Sequence, residues 1–351
     1  MAIKKRLFKM LLRRAFNLPW GTDFFRYANN RINYLIKKQK RSIRLPHPIS
    51  LMIELTNHCQ LKCMICAREH RYGQEMDKGH MKFEQFKKLI DENHVYLDRI
   101  GLTGLGETLL YPHIIEAVRY IRAKNKGISV FISTNAYQAN AAQIVAQIAD
   151  DIDTLQISLD GIGSVFEGIR LKSNYNKYYN NLKAIVKHGR GRRMTVKFNM
   201  VVFKQNYHQM SEVVNLASQL GVQEIYFNTF NLVANDFDLS LYDFYNEEIF
   251  RDEFKKSCNM ADKLGIYVAY HELDEQKGFK YCAYPWDDFY ISWDGFSVPC
   301  CAKPFPKEKN FGNVFQIGLH AAINNIEFQK FRQLANQNIT PDFCHRCHKI
   351  Y

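Results

Sequence analysis

No window of this 351-residue chain approaches 18 uninterrupted apolar residues, so no transmembrane helix is available and the chain reads as soluble or peripheral. Internal repeats and low-complexity tracts are also missing, beyond a recurring strand–helix alternation. With 46% hydrophobic residues to build a core, disorder, collagen and a mini-protein scaffold are excluded. Acidic side chains are scarce in one place. Residues 1–45 hold a single carboxylate, Asp23, against thirteen lysines and arginines, a net +12, whereas residues 46–351 carry 35 basic and 34 acidic side chains. The overall charge of +13 therefore belongs to an N-terminal arm, not to a nucleic-acid-binding body. An export signal is lacking too: Arg13-Arg14-Ala15-Phe16 looks like a twin-arginine motif, but Asp23, Arg26 and Arg31 interrupt the apolar region that should follow.

Cysteine, by contrast, comes in groups. Nine cysteines, an odd number without a secretion signal, argue against a disulfide framework, and the grouped ones read as metal or cluster ligands. Around them the hydrophobic pattern alternates. Strand-like runs at 49–56, 99–103, 129–134, 154–159, 195–203 and 224–229 are separated by helical segments near 82–94, 112–125, 138–149, 175–188 and 208–220, with another near 244–264. Six βα units in a row predict an α/β fold with a parallel sheet, either doubly wound or a partial (β/α) barrel. Cys59 follows the first strand, Gly104 to Glu107 the second, Ser133 to Asn135 end the third and Ser158 to Gly161 the fourth. That is the rim where barrels place their chemistry. After about residue 280, Phe289 to Val298 reads as a β-hairpin with a tight Asp294-Gly295 turn, followed by a helix near 319–336.

Cys59-x3-Cys63-x2-Cys66 lies in a loop directly after a strand. Three such thiolates can hold three irons of a cubane and leave the fourth iron open, whereas structural zinc takes a closed set of four; unliganded cysteines, or zinc completed by His58 or His70, are the alternatives. Here the sequence resembles the radical S-adenosylmethionine (SAM) superfamily, over about residues 49–351. The resemblance implies a partial (β/α)6 barrel and a [4Fe-4S] cluster whose open iron chelates the amino and carboxylate groups of SAM. Reductive cleavage then yields a 5′-deoxyadenosyl radical that abstracts a substrate hydrogen. Thr103-Gly-Leu-Gly-Glu-Thr108 resembles the family's Gly-Gly-Glu-Pro segment, which implies Gly104, Gly106 and Glu107 at the SAM ammonium. Ser133, Asn135, Ser158 and Asp160 are similarly implied near the ribose and methionine, Arg170 at the SAM carboxylate and Asn199 on the fifth strand. Thr108 in place of proline and Ile65 in place of an aromatic are departures that touch packing and remove no ligand.

Cys282-x12-Gly295-x4-Cys300, then Phe311-Gly-Asn-Val314, a helix and Cys344-x2-Cys347 resemble the superfamily's SPASM/twitch extension. With the chain closing at Tyr351, the resemblance implies one auxiliary [4Fe-4S] cluster on Cys282, Cys300, Cys344 and Cys347, in an electron-transfer or structural role. Cys301 competes with Cys300 as ligand, and a zinc ribbon is the alternative. Cys258, within a helical pattern, reads as a small buried apolar residue. Alternatively, Cys258 or Cys301 donates a hydrogen atom to a substrate radical, turning oxidation into epimerisation.

The expected organisation is a basic amphipathic arm at 1–48, a radical SAM barrel at 49–279 and a hairpin-plus-helix cluster domain at 280–351. In the arm, Ile3, Leu7, Met10, Leu11, Ala15 and Leu18 share a helical face opposite Lys5, Arg6, Lys9 and Arg13, a pattern suited to an anionic membrane surface. The expected enzyme is a dehydrogenase or epimerase acting on a carbohydrate-like polyol, a small molecule or lipid-linked glycan, with an electron donor such as flavodoxin or ferredoxin. Its expected place is the cytoplasm, peripheral on the inner membrane face. A peptide maturase is the alternative, set second because about 48 residues precede the first strand and a leader-binding domain takes roughly 80. A zinc-stabilised interaction protein is the alternative of another class, and nucleic acid ranks last as a partner. Two full clusters predict about eight irons per chain in anaerobically prepared protein; about four irons with bound zinc would remove the second cluster.

Overall fold

The computed structural model describes Asn17, residues 21–271 and residues 278–350. The amphipathic face assigned to residues 3–18 lies outside the described residues. In chain order the strands are β1 (Ser50–Ile53), β2 (Lys62–Cys63), β3 (Arg99–Leu102), β4 (Ser129–Thr134), β5 (Thr154–Ser158), β6 (Arg170–Leu171), β7 (Thr195–Val202), β8 (Glu224–Thr229), β9 (Tyr267–His271), β10 (Phe289–Ile291) and β11 (Ser297–Val298). All six expected βα units are present: β1, β3, β4, β5, β7 and β8 lead to helices Phe83–Asn93, Ile114–Lys124, Ala141–Ile148, Tyr175–Gly189, Met210–Leu220 and Glu248–Lys263.

The local causes are ordinary ones. Phe86, Leu89, Ile90 and Asn93 bury one face of helix Phe83–Asn93 at helical spacing. Burial alternates residue by residue along β4. Helix Met210–Leu220 stops at Gly221, whose φ of +76° supplies the left-handed cap.

The chain packs as two compact units. The first comprises Met1–His58, Lys78–Phe131 and Phe279–Pro341. Its strands run β11-β10-β1-β3. Within it β10 lies parallel to β1, with Leu51 opposite Phe289, and antiparallel to β11, with Tyr290 opposite Val298. The second unit comprises Cys59–Asp77, Ile132–Gly278 and Asp342–Tyr351. Its strands run β5-β7-β8-β9, all parallel, beside a short antiparallel β2–β6 ladder. The division cuts β4 between Phe131 and Ile132.

Three features differ from the sequence reading. Strand β9 was not expected; it follows helix Glu248–Lys263 after three residues and pairs with β8. The hairpin at 289–298 has its tight turn, with Gly295 at φ +93°, but β10 also extends the sheet at β1. The helix near 319–336 is two helices, Leu319–Ile323 and Ile326–Asn336, because the Asn325 side chain accepts from the Phe328 N–H and starts a new helix.

Arg332 fastens that second helix. Fully buried, it donates to the carbonyls of Pro285 (2.8 Å), Ile43 (3.0 Å) and Ile323 (2.7 Å), and its guanidinium lies 4.1 Å from the Phe328 ring centre. Arg332→Met keeps much of the volume but strands three buried carbonyls. It is expected to cost about 2–4 kcal/mol, read as a fall of several degrees in melting temperature; an unchanged melting temperature would contradict the role given to Arg332.

Candidate functional site

In the first unit, β1 ends by delivering Glu54 into a site with no solvent exposure. Its carboxylate accepts from the Leu105 N–H (2.7 Å), the Tyr290 hydroxyl (2.6 Å) and the Trp293 N–H (3.4 Å). Burial pushes the Glu54 carboxyl up to about 7, against the pull of those three donors, and Asp294 adds to the rise. The Thr103 to Thr108 loop rests directly on this segment. A Cβ on Gly104 would stand 2.5 Å from the Glu54 side chain, and one on Gly106 would stand 2.3 Å from the Thr56 carbonyl oxygen. Both positions therefore exclude any side chain. Glu107 is 3% exposed; its N–H donates to the His58 carbonyl (2.8 Å) and its carboxylate accepts from the Leu109 N–H (3.0 Å). Thr108, the departure from the family's proline, is buried and donates to the Leu102 carbonyl (3.2 Å), so packing there is intact.

In the second unit, β2 and β6 set Cys63 opposite Arg170, and the Cys66 N–H turns back to the Cys63 carbonyl (3.0 Å). Arg68 braces the loop, donating to the carbonyls of Cys59 (3.1 Å) and Leu61 (2.6 Å) while paired with Glu69 (2.5 Å). Burial raises the Cys63 thiol to about 12; Arg170 opposes the rise, and Cys66, Asp160 and Cys59 add to it. Burial raises Cys66 as well. A thiol such as Cys63, whose ionisation is disfavoured by burial and by two neighbouring cysteines, belongs to a donor set that a cationic cluster satisfies. Among the described residues no group of three or more His, Cys, Asp or Glu converges as ligands of a single ion do. A cubane makes a different demand, since each thiolate binds a separate iron.

The expected SAM residues of this unit fall into three groups. Asn135 donates to the Cys59 sulfur (3.4 Å) and accepts from Gln60 (3.1 Å), so its amide serves the cysteine loop. Arg170 and Asp160 form a buried ion pair at 2.6 Å, and Asp160 also accepts from the Val201 N–H (2.9 Å). The Arg170 Nε–H is buried without a hydrogen-bond partner, a donor left over for an acidic group such as the SAM carboxylate. Ser158 and Asn199 stand opposite each other on β5 and β7, with Asn199 accepting from Asn228 (2.6 Å), while Ser133 is half-buried near the end of β4.

Of the five C-terminal cysteines, three lie in the first unit and two in the second. In the first unit the Cys300 thiol is raised by a hydrogen bond with Cys301, by burial and by the nearby Cys301 and Cys282. The Cys301 thiol contacts the Tyr284 hydroxyl at 3.5 Å, whereas Cys300 accepts from the Ala302 N–H at 3.3 Å. In the second unit the Cys347 N–H donates to the Cys344 carbonyl (3.0 Å), and Asn231 donates to the Cys347 sulfur (3.7 Å). Cys258 sits mid-helix in Glu248–Lys263, its thiol raised by burial and by Asp262 one turn on. Glu54, Arg68 and Tyr290 escaped the sequence reading. The one available signal was the Glu54 carboxyl in an apolar strand, Leu51-Met-Ile-Glu-Leu55.

Parallel βα units carrying a half-buried three-cysteine loop are the arrangement expected of an iron–sulfur protein of the radical type. The family model for the radical SAM superfamily matches residues 53–217, and that for the SPASM iron-sulfur cluster-binding domain matches 282–348. The chain is 25% identical over 313 residues to the antilisterial bacteriocin subtilosin biosynthesis protein AlbA of Bacillus subtilis, covering 88% of this chain and 66% of AlbA, just under two thirds of its length. It is 24% identical over 329 residues to the tungsten-containing aldehyde ferredoxin oxidoreductase cofactor-modifying protein of Pyrococcus furiosus, covering 85% of this chain and 86% of that one. In structure it is similar to Streptococcus suis SuiB, solved with S-adenosylmethionine, at a TM-score of 0.69 and 17% identity over 99% of this chain and 83% of that one. The chain belongs to the radical SAM superfamily and carries a SPASM region, so its cofactors are SAM, a [4Fe-4S] cluster and auxiliary iron–sulfur.

Because folded Glu54 holds its proton up to about 7, its contribution to stability is complete below about pH 4.5. It is lost as pH rises through 7, by up to ~3 kcal/mol. Glu54→Gln is expected to flatten this slope, so that the melting temperatures of variant and wild type diverge between pH 5 and 8; parallel curves would assign the slope elsewhere.

Proposed function

We propose that this protein is a radical SAM maturase that abstracts a hydrogen atom from a peptide or protein chain. The observation that carries the reading is the alignment with AlbA along 88% of the chain. Further support comes from the fold shared with SuiB, which has also been solved bound to the precursor peptide SuiA, at a TM-score of 0.68. The carbohydrate-like polyol expected above, with its dehydrogenase or epimerase outcome, has no comparable support, and the peptide alternative takes its place.

When bound, SAM and its cluster supply hydrogen-atom abstraction from carbon after reduction by one electron, from a flavodoxin- or ferredoxin-type donor. The chain's own residues do the rest. Cys59, Cys63 and Cys66 would hold the SAM-binding cluster, and Arg170, aligned by Asp160, would have its free Nε–H for the SAM carboxylate. The loop at Gly104 to Glu107 is seated on Glu54, and in this reading its backbone carbonyls would be the acceptors for the SAM ammonium. Cys282, Cys300, Cys344 and Cys347 remain the ligand set for an auxiliary cluster, and the distinct partner of Cys301, Tyr284, favours Cys300 over its neighbour.

Anaerobic turnover with dithionite tests the substrate class. Peptides encoded by short reading frames beside the gene, prepared with deuterated side chains, are expected to pass deuterium into 5′-deoxyadenosine and to change in mass, and Cys59→Ala abolishes both. Deuterium transfer from sugar nucleotides or lipid-linked sugars, with none from peptides, would reinstate the polyol reading.

A further inference from the structure

Helix Thr22–Gln39 buries only Tyr27, Asn30 and Tyr34. Tyr34 anchors it by donating to the Trp286 carbonyl (2.5 Å), and Lys38 pairs with Asp287 (2.7 Å). Away from that anchored face, the helix presents two adjoining arcs. One is apolar: Phe24, Phe25, Ile32, Leu35 and Ile36 fall within about a third of a turn at 100° per residue, and all are exposed, Phe25 by 73% and Ile32 by 60%. Nothing else in the protein as described exposes so many large apolar side chains on one element. An apolar arc of this kind on a well-anchored helix is costly in water.

The second arc is polar and faces a cavity of about 520 Å³. Arg26, Asn29, Asn33 and Lys37 form the helix side of it, and Arg44 and His47 come from the following loop. No carboxylate lines this space. Arg26 is held by Asp23 (3.0 Å) and the Tyr96 hydroxyl (2.8 Å), whereas Lys37 and Arg44 make no ion pair among the described residues. His47, stacked between Tyr96 (4.0 Å) and His320 (4.6 Å), is pushed down to about 4 by burial, with His320 and Arg26 adding to the effect. It is thus a neutral wall in a positive field. Amide donors and unpaired cations around an open space, with no acid, are suited to a phosphate.

We propose that helix Thr22–Gln39 docks on an anionic lipid bilayer, the apolar arc lying among the acyl chains and the cavity at Lys37 and Arg44 receiving a lipid phosphate. The two arcs adjoin, so a helix lying flat in the interface places both at their proper depths. Charge complementarity selects the occupant: thirteen cations and one acid in residues 1–45 attract a negatively charged surface and add nothing to contact with a neutral apolar partner.

Co-sedimentation of the full-length protein with phosphatidylcholine vesicles, with and without about 30% phosphatidylglycerol, tests the proposal. Binding is expected to the anionic vesicles only. Lys37→Gln with Arg44→Gln is expected to weaken it on the order of 30-fold, and Ile32→Ser with Ile36→Ser to weaken it as well, both with unchanged melting temperature and SAM cleavage. Wild-type binding by both double variants, or equal binding to neutral vesicles, would overturn the proposal. Release of bound protein by inorganic phosphate at fixed ionic strength would give the cavity to a soluble anion and overturn the lipid assignment.

Discussion

A carboxylate without water, Glu54 at the end of β1, constrains the first unit more than any other group. Burying such a group costs several kcal/mol unless donors converge on it, and its donors come from segments far apart in sequence: Leu105, Tyr290 and Trp293. The glycine loop and the SPASM hairpin are thereby fixed to the same side chain. Trp293 in turn fills the space that a side chain on Gly79 would need, and the Gly79 carbonyl accepts from Thr56, two residues beyond Glu54. A loop assigned to SAM and a strand leading to the auxiliary cysteines thus share one electrostatic anchor.

Much of the fold could be read directly. The six βα units announced themselves because buried parallel strands are short apolar runs and their helices repeat at 3.6 residues. What could not be read was pairing. Phe289, Tyr290 and Ile291 are all buried, so β10 shows no alternation to say which strand it would meet. Strand β9 follows its helix across a single glycine turn, Gly265 at φ +66°, and the break at Asn325 depends on one side chain choosing a backbone N–H rather than water.

The site divides in the same way. Cysteine spacing is a covalent property of the chain, so the proposed ligand sets follow from sequence before any contact is known. Glycines 104 and 106 were also legible, but for a different reason than ligand approach: the obstacle is the protein's own backbone at Thr56 and side chain at Glu54. Asn135 was placed near a ribose and is found on the Cys59 sulfur, a contact between residues 76 apart that no local pattern encodes. Substrate class was least legible of all. Recognition of a peptide or a sugar rests on surface shape, which leaves no fixed spacing in sequence.

The parallel seam between β1 and β10 bears on how the chain can be dissected. Cutting at residue 279 to isolate the SAM-binding part would bare the hydrogen-bonding edge of the strand that leads into Cys59, and would withdraw two of the three donors that hold Glu54. An open edge of buried apolar residues is a template for self-association. The segment from Phe289 to Trp293 is therefore a structural stave of the first unit, and its removal loosens β1 and Glu54 whether or not an auxiliary cluster takes part in the chemistry.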